Sequence, residues 1–145
     1  MPEAWLDYNG HMHDADYLTA ISMANEELFA ALDLSANYRR STGASFYTVE
    51  YHLRFLAECA LGDMLRASTT LVAADARRLR FYTELEHADG RVAGTGESLY
   101  LHVDPRRGGV VAMPEDRART VAELHAAHSG LPRPAYLGAG VGTSR

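Results

Sequence analysis

The sequence predicts a two-layer α+β fold in which one long helix packs on an antiparallel sheet. Three observations carry that expectation. A helical apolar stripe is confined to one early segment, period-two alternation takes over from residue 45, and an Asp-Gly pair sits between two of the alternating runs.

Each element follows in chain order. Residues 14–34, DADYLTAISMANEELFAALDL, place Tyr17, Ile21, Ala24, Leu28 and Leu32 at spacings of four, three, four and four. That is one face of an α-helix about 30 Å long at 1.5 Å per residue. Residues 35–43 are polar and end in Gly43, which predicts a loop carrying Arg39 and Arg40. From Ser45, Phe46, Thr48, Glu50, His52 and Arg54 fall on one side. Tyr47, Val49, Tyr51, Leu53 and Phe55 fall on the other, giving a strand with one apolar side.

Gly62 and Asp63 turn the chain into a run over 64–74 rich in Thr, Leu and Val, and a further run spans 79–87. Asp89 and Gly90 readily adopt the positive φ that a tight hairpin needs, and a last long strand spans 91–103. A brief apolar piece, 110–113, leads into a helix over 114–128 with Pro114 in its first turn. Residues 129–145, rich in Gly, Ser and Pro, predict an irregular tail, which leaves 1–128 as a single domain. Leu79, Phe81 and Leu85 oppose Tyr82 across the third strand, so part of the sheet's outer face is expected to lie under a second copy of the chain.

Composition limits the function classes. The chain has 145 residues, 47% hydrophobic and 23% charged, which suits one ordinary core, and no apolar run reaches the length of a membrane-spanning helix. A net charge of −5 argues against a broad nucleic-acid footprint. Cys59 is the only cysteine, so no internal disulfide is expected. The first residues lack a basic segment followed by an apolar one, which predicts a cytoplasmic address.

The densest polar cluster is WLDYNGHMHDADYL, residues 5–18, at the mouth of the long helix. Asp7, Asn9 or Asp14 could each cap that helix, since its free amides attract side-chain oxygens. Capping does not explain why Asp7, Asn9, His11 and His13 alternate, with Gly10 opening the turn between them.

DYNGHMHDADY resembles the D-x-N-G-H-x-N-x-x-x-Y signature of the hot-dog-fold acyl-CoA thioesterases related to 4-hydroxybenzoyl-CoA thioesterase. The later stretch YTVEYHLRFLAECALGD resembles the same family's second strand and turn, so the likeness covers most of residues 3–104. The chain departs from that pattern at His13, where the family has Asn, and in the short stretch before Asp7. The resemblance implies a long central helix wrapped by a curled antiparallel sheet and thioester hydrolysis without metal or cofactor.

It also implies a set of roles. Asp7 would be the nucleophile or general base, while backbone amides around Gly10 and His11 would stabilise the oxyanion. Asn9 and His11 would orient the turn, and Glu50 would supply a second carboxylate across a subunit interface. His13, Tyr17, Tyr47, Thr48 and Arg54 would line the substrate site. Arg39, Arg40, Arg77, Arg78 and Arg80, with Arg54, are candidates for the CoA phosphates, Arg77 and Arg78 first among them. The family assembles its site between copies, so a homodimer or dimer of dimers is expected.

The wording of the motifs is closest to thioesterases linked to carnitine and betaine metabolism. That implies a small cationic acyl group such as betainyl, for which Trp5, Tyr8, Tyr47 and Tyr51 offer aromatic faces. Two other readings stay open. A hot-dog hydratase or dehydratase also combines Asp, Asn and His, but its D-x-N-P-x-H motif has a Pro and one more residue before the His. A non-catalytic acyl-CoA binder has the same fold. A metal site built from His11, His13 and Asp14 lacks any further cluster with ligand spacing.

Overall fold

The computed structural model describes residues 1–141; the last four residues of the predicted tail lie outside that range. After a short 3-10 turn at Glu3–Trp5 come α1 (Asp14–Ala31), α2 (Ala36–Thr42), β1 (Ser45–Phe55), β2 (Leu65–Ala74), β3 (Arg78–His87), β4 (Val92–Asp104), β5 (Gly109–Val110) and α3 (Glu115–His128). All pairings are antiparallel, in the order β1-β4-β3-β2, with β5 on the end of β4. The sheet wraps α1, which is the hot-dog arrangement. Among the described residues no helix is long and apolar enough to cross a membrane.

Close approach of the first half of α1 to the sheet depends on β4 having glycine at 94 and 96. A Cβ on Gly96 would lie 2.8 Å from Ile21 Cγ2, and one on Gly94 would lie 3.0 Å from the Tyr17 ring. The core below is Phe29, Leu32, Leu71, Leu79, Phe81 and Tyr100, with Phe29 packed edge-on against Tyr100 at 4.9 Å.

Three sequence expectations need correction. The buried stripe of α1 is Tyr17, Ile21, Asn25 and Phe29 rather than one running through Ala24 and Leu28. Those two line an open apolar groove of about 640 Å³ between α1 and β2. Asn25 can turn inward because it is fully satisfied: its amide nitrogen donates to the Tyr51 and Tyr100 hydroxyls at 2.8 and 2.9 Å, and its oxygen accepts from Thr83 at 2.8 Å. Residues 36–42 form α2 instead of a loop, closed by Gly43 at φ +75°. Anchoring by buried Tyr38, whose hydroxyl meets His102 Nε2 at 2.8 Å, overrides its polar composition.

The third correction concerns β1. Its register slips between Thr48 and Glu50, so Val49 is an extra residue. Phe46 therefore packs on the core, Tyr51 and Leu53 pack on it beyond the bulge, and Tyr47 and Val49 are exposed. Uniform alternation would have put Phe46 outside.

Part of the outer face of the sheet is covered by the chain's own C-terminal segment. Arg54 donates to the carbonyls of Ala139 and Gly140 and stacks over Tyr136, while the Gly138 amide donates to Glu97, which also pairs with Arg80. Tyr82, opposite Glu97 in the register, is buried without a second copy. β1 and β2 are the two edges of the sheet; on β2 the Leu71 amide donates to His128 Nδ1 at 2.9 Å, while residues 47–50 of β1 are exposed.

Candidate active site

The segment before α1 doubles back on itself. Leu6 bridges Met12, the Asp7 amide donates to the His11 carbonyl at 2.8 Å, and the Gly10 amide returns to the Asp7 carbonyl at 3.1 Å. Gly10 sits at φ +80°, where a side chain would be strained. The Asp7 carboxylate closes the turn from inside, accepting from the amides of Asn9 at 2.8 Å and His11 at 3.2 Å, with the Asn9 side-chain nitrogen at 3.4 Å. Burial pushes its carboxyl up, but the two amides and Asn9 together outweigh that and hold it below the usual carboxylate range. It is anionic at neutral pH.

The turn is docked against the segment that follows β1. The Met12 amide donates to the Cys59 carbonyl at 2.8 Å and His11 bridges Ala60. From the other side the Tyr17 hydroxyl donates to the Ala57 carbonyl at 2.9 Å; burial pushes this phenol up, so it stays a proton donor. Cys59 is fully buried behind this contact, its sulfur 3.8 Å from His87 Nε2, with Asp63 3.5 Å from the far side of that imidazole. Burial also raises the thiol, which makes Cys59 an inert support.

Between turn, helix and segment lies a cleft of about 410 Å³. Asp7, Asn9, His11, Met12, Asp14, Tyr17 and residues 55–58 line it. Of the sequence-predicted site residues, Asp7, Asn9, His11 and Tyr17 meet here, with Gly10 forming the turn. His13 instead caps α1, its Nδ1 3.1 Å from the Ala15 amide. His11 faces Glu58, Nε2 to Oε2 3.5 Å, so the two histidines serve different partners.

The other predicted residues lie elsewhere in this chain. Glu50 is exposed and lines a separate outer-face cavity with His52 and Glu97. Tyr47 is exposed before the bulge, and Thr48 lines a cavity with Asn25 and Phe29. Arg54 is held by the C-terminal segment. Arg77 and Arg78 sit at the β2–β3 turn, where Asp75 accepts from both amides and from Arg78 Nε at 2.7 Å. Seven residues of strand separate Arg78 from the level of Leu85, which pairs with Gly94 beside Tyr17, a span of about 23 Å at 3.3 Å per residue. Of the aromatic faces, Trp5 borders the apolar groove and Tyr51 is bonded to Asn25.

Sequence reasoning missed Phe55, Glu58 and Asp14 as a lining group, along with the apolar Met12, Leu56 and Ala57. Glu58 comes from a segment some fifty residues beyond the motif, and only the fold brings it to His11. The amides expected to face substrate are engaged too. Those of Gly10 and His11 bond to Asp7, and those of Ala15 and Asp16 bond to His13, with Asp14 Oδ1 on Ala15 as well. What α1 presents to the cleft is the positive end of its dipole.

Residues 2–122 match the model of the Thioesterase-like superfamily, and the chain belongs to that superfamily. Within it, the chain is similar to the betainyl-CoA thioesterase of Pseudomonas aeruginosa, 35% identical over 150 residues that cover 98% of this chain and 89% of that protein. It is also 40% identical over 137 residues to the L-carnitine dehydrogenase/betainyl-CoA thioesterase of Agrobacterium fabrum, covering 94% of this chain. The chain spans only 28% of the length of that relative. Among solved structures, a Staphylococcus aureus protein in complex with CoA superposes with a TM-score of 0.93 at 25% identity, covering 99% of this chain and 91% of that one. A putative thioesterase from Pseudomonas putida gives 0.85 at 30% identity, covering 100% and 93%.

Proposed function

We propose that the chain hydrolyses a small acyl-CoA, of the betainyl type, to the free acid and CoA, with Asp7 as the reacting carboxylate. The observation that carries this is the Asp7 carboxylate itself: anionic, held by the amides of its own turn, and open to a cleft at the positive end of α1. The names of the relatives support the choice of thioester.

In one route Asp7 attacks the thioester carbonyl, the C–S bond breaks to release CoA thiolate, and water then hydrolyses the mixed anhydride. In the other Asp7 takes a proton from water as that water attacks. Either way negative charge grows on the carbonyl oxygen near the α1 terminus, whose dipole favours it. Asn9 and His11 hold Asp7 in place through their amides. Thiolate is a good leaving group, so the cleft needs no further acid.

The same reading includes a homodimer. β1 is an open edge strand, and antiparallel pairing of two such edges would extend the sheet through both copies. That pairing would bring the β2–β3 turn of the second copy, with its Arg77 and Arg78, to the cleft end of the first. It would give those guanidinium groups a route to the CoA phosphates, and Glu50 a place near the neighbouring cleft. Thiol release from betainyl-CoA and from short neutral acyl-CoAs at neutral pH tests the activity; no release from any of them would overturn it.

A further inference from the structure

The Asp7 cleft has a chemical bias that thioester hydrolysis alone does not require. Beyond the reacting carboxylate it carries two more, Asp14 and Glu58, and among the described residues no lysine or arginine lines it. An aromatic ring lines the same cleft. Phe55, the last residue of β1, is 43% exposed and is fixed edge-on against Tyr17, ring centroids 5.1 Å apart and planes at 86°. Tyr17 is in turn tied to the Ala57 carbonyl, so the ring, its support and the backbone that carries Glu58 form one connected piece.

Resting on the thioesterase reading above, we propose that Phe55 and Glu58 form the specificity determinant of the site, which selects acyl groups bearing a quaternary ammonium. A trimethylammonium group cannot donate a hydrogen bond, so only charge and a polarisable face can recognise it. A ring face and a nearby carboxylate supply those two terms. The free, half-exposed Phe55 is the aromatic group the cleft offers for that purpose, in place of Trp5, which lies outside the cleft, and Tyr51, which is committed to Asn25. The same negative lining disfavours the CoA phosphates, so they must leave the cleft outward, and it disfavours acyl groups that end in a carboxylate.

The test uses two thioesters of the same shape. Betainyl-CoA and 3,3-dimethylbutyryl-CoA differ in one atom, the cationic nitrogen against a neutral carbon. The ratio of their kcat/KM values controls for size and folding, and the activation of the betainyl carbonyl by its α-ammonium, which is the same for every variant, cancels when the ratio is divided by that of the uncatalysed hydrolysis rates. The wild-type chain is expected to prefer the cationic ester by more than the ratio of the two uncatalysed hydrolysis rates. Glu58→Gln should reduce the ratio about fivefold, the upper worth of an exposed ion pair, and Phe55→Leu by about the same factor. A wild-type ratio no larger than that of the uncatalysed rates would overturn the inference while leaving the thioesterase reading intact. An unchanged ratio in Glu58→Gln, with both esters slowed equally, would show that Glu58 acts through His11 instead. No thiol release from either ester would remove both proposals.

Discussion

Replacing Asp7 with Asn separates a helix-mouth cap from a reacting group. The turn bonds Asp7 through one carboxylate oxygen, which accepts from the Asn9 and His11 amides at 2.8 and 3.2 Å, and an asparagine oxygen can take the same two bonds. The second oxygen meets only the Asn9 side chain, at 3.4 Å, and that amide can rotate. The turn, and with it the cleft, should survive. What disappears is the negative charge and the proton acceptor, so kcat for betainyl-CoA should fall by roughly 10²-fold or more, the worth of a positioned base or nucleophile. Thiol release under saturating substrate measures it, with circular dichroism and an unfolding curve as controls.

The pH profile adds a check. The folded state holds Asp7 below its unfolded range, so its contribution to stability is present above the unfolded value and lost as pH falls through the folded one. Activity through Asp7 should therefore stay flat from neutral pH down to the ordinary carboxylate range and fail only below it. An Asp7→Asn variant within threefold of wild type, with an unchanged profile, would refute the mechanism and move the reacting role to another carboxylate.

Three further outcomes follow from the packing. Gly96→Ala should destabilise by about 1–3 kcal/mol in urea unfolding because its Cβ would meet Ile21 at 2.8 Å, and adding Ile21→Ala should cost less than the sum of the two. Asn25→Ala, which removes a partner from the Tyr51, Thr83 and Tyr100 hydroxyls and leaves Thr83 with Thr69, should cost roughly 1–3 kcal/mol; no measurable loss would mean that water replaces the amide. Sedimentation of the wild type should give twice the 15.9 kDa chain mass, and Val49→Lys on the open β1 edge should shift it toward the single chain.

The order of elements was legible because its signals are local: a 3.6-residue period before residue 35, a two-residue period after 45, and Asp89-Gly90 between β3 and β4. Asp7, Asn9 and His11 were legible for the same reason, since one short turn holds all three. Asn25 was not, because a polar residue on a buried helical face is stable only when distant strands supply its partners, here Tyr51, Thr83 and Tyr100. Glu58 and Phe55 were hidden in the same way. Nothing within their own segment marks them, and they gain meaning only where the end of β1 passes the mouth of α1. The outer face misled for a related reason: Tyr82 needed a cover, and the cover came from some fifty residues downstream in the same chain.

The bulge at Val49 acts as a phase corrector for β1. It lets Phe46 and Thr48 on one side of it, and Tyr51, Leu53 and Phe55 on the other, all face the helix, although the count between the two groups is odd. A related chain lacking just this residue would keep every inward side chain facing inward. When relatives are aligned, a one-residue gap at this position is therefore silent, whereas the same gap a few residues later, between Tyr51 and Phe55, would invert the rest of the strand and turn the Phe55 ring away from the cleft.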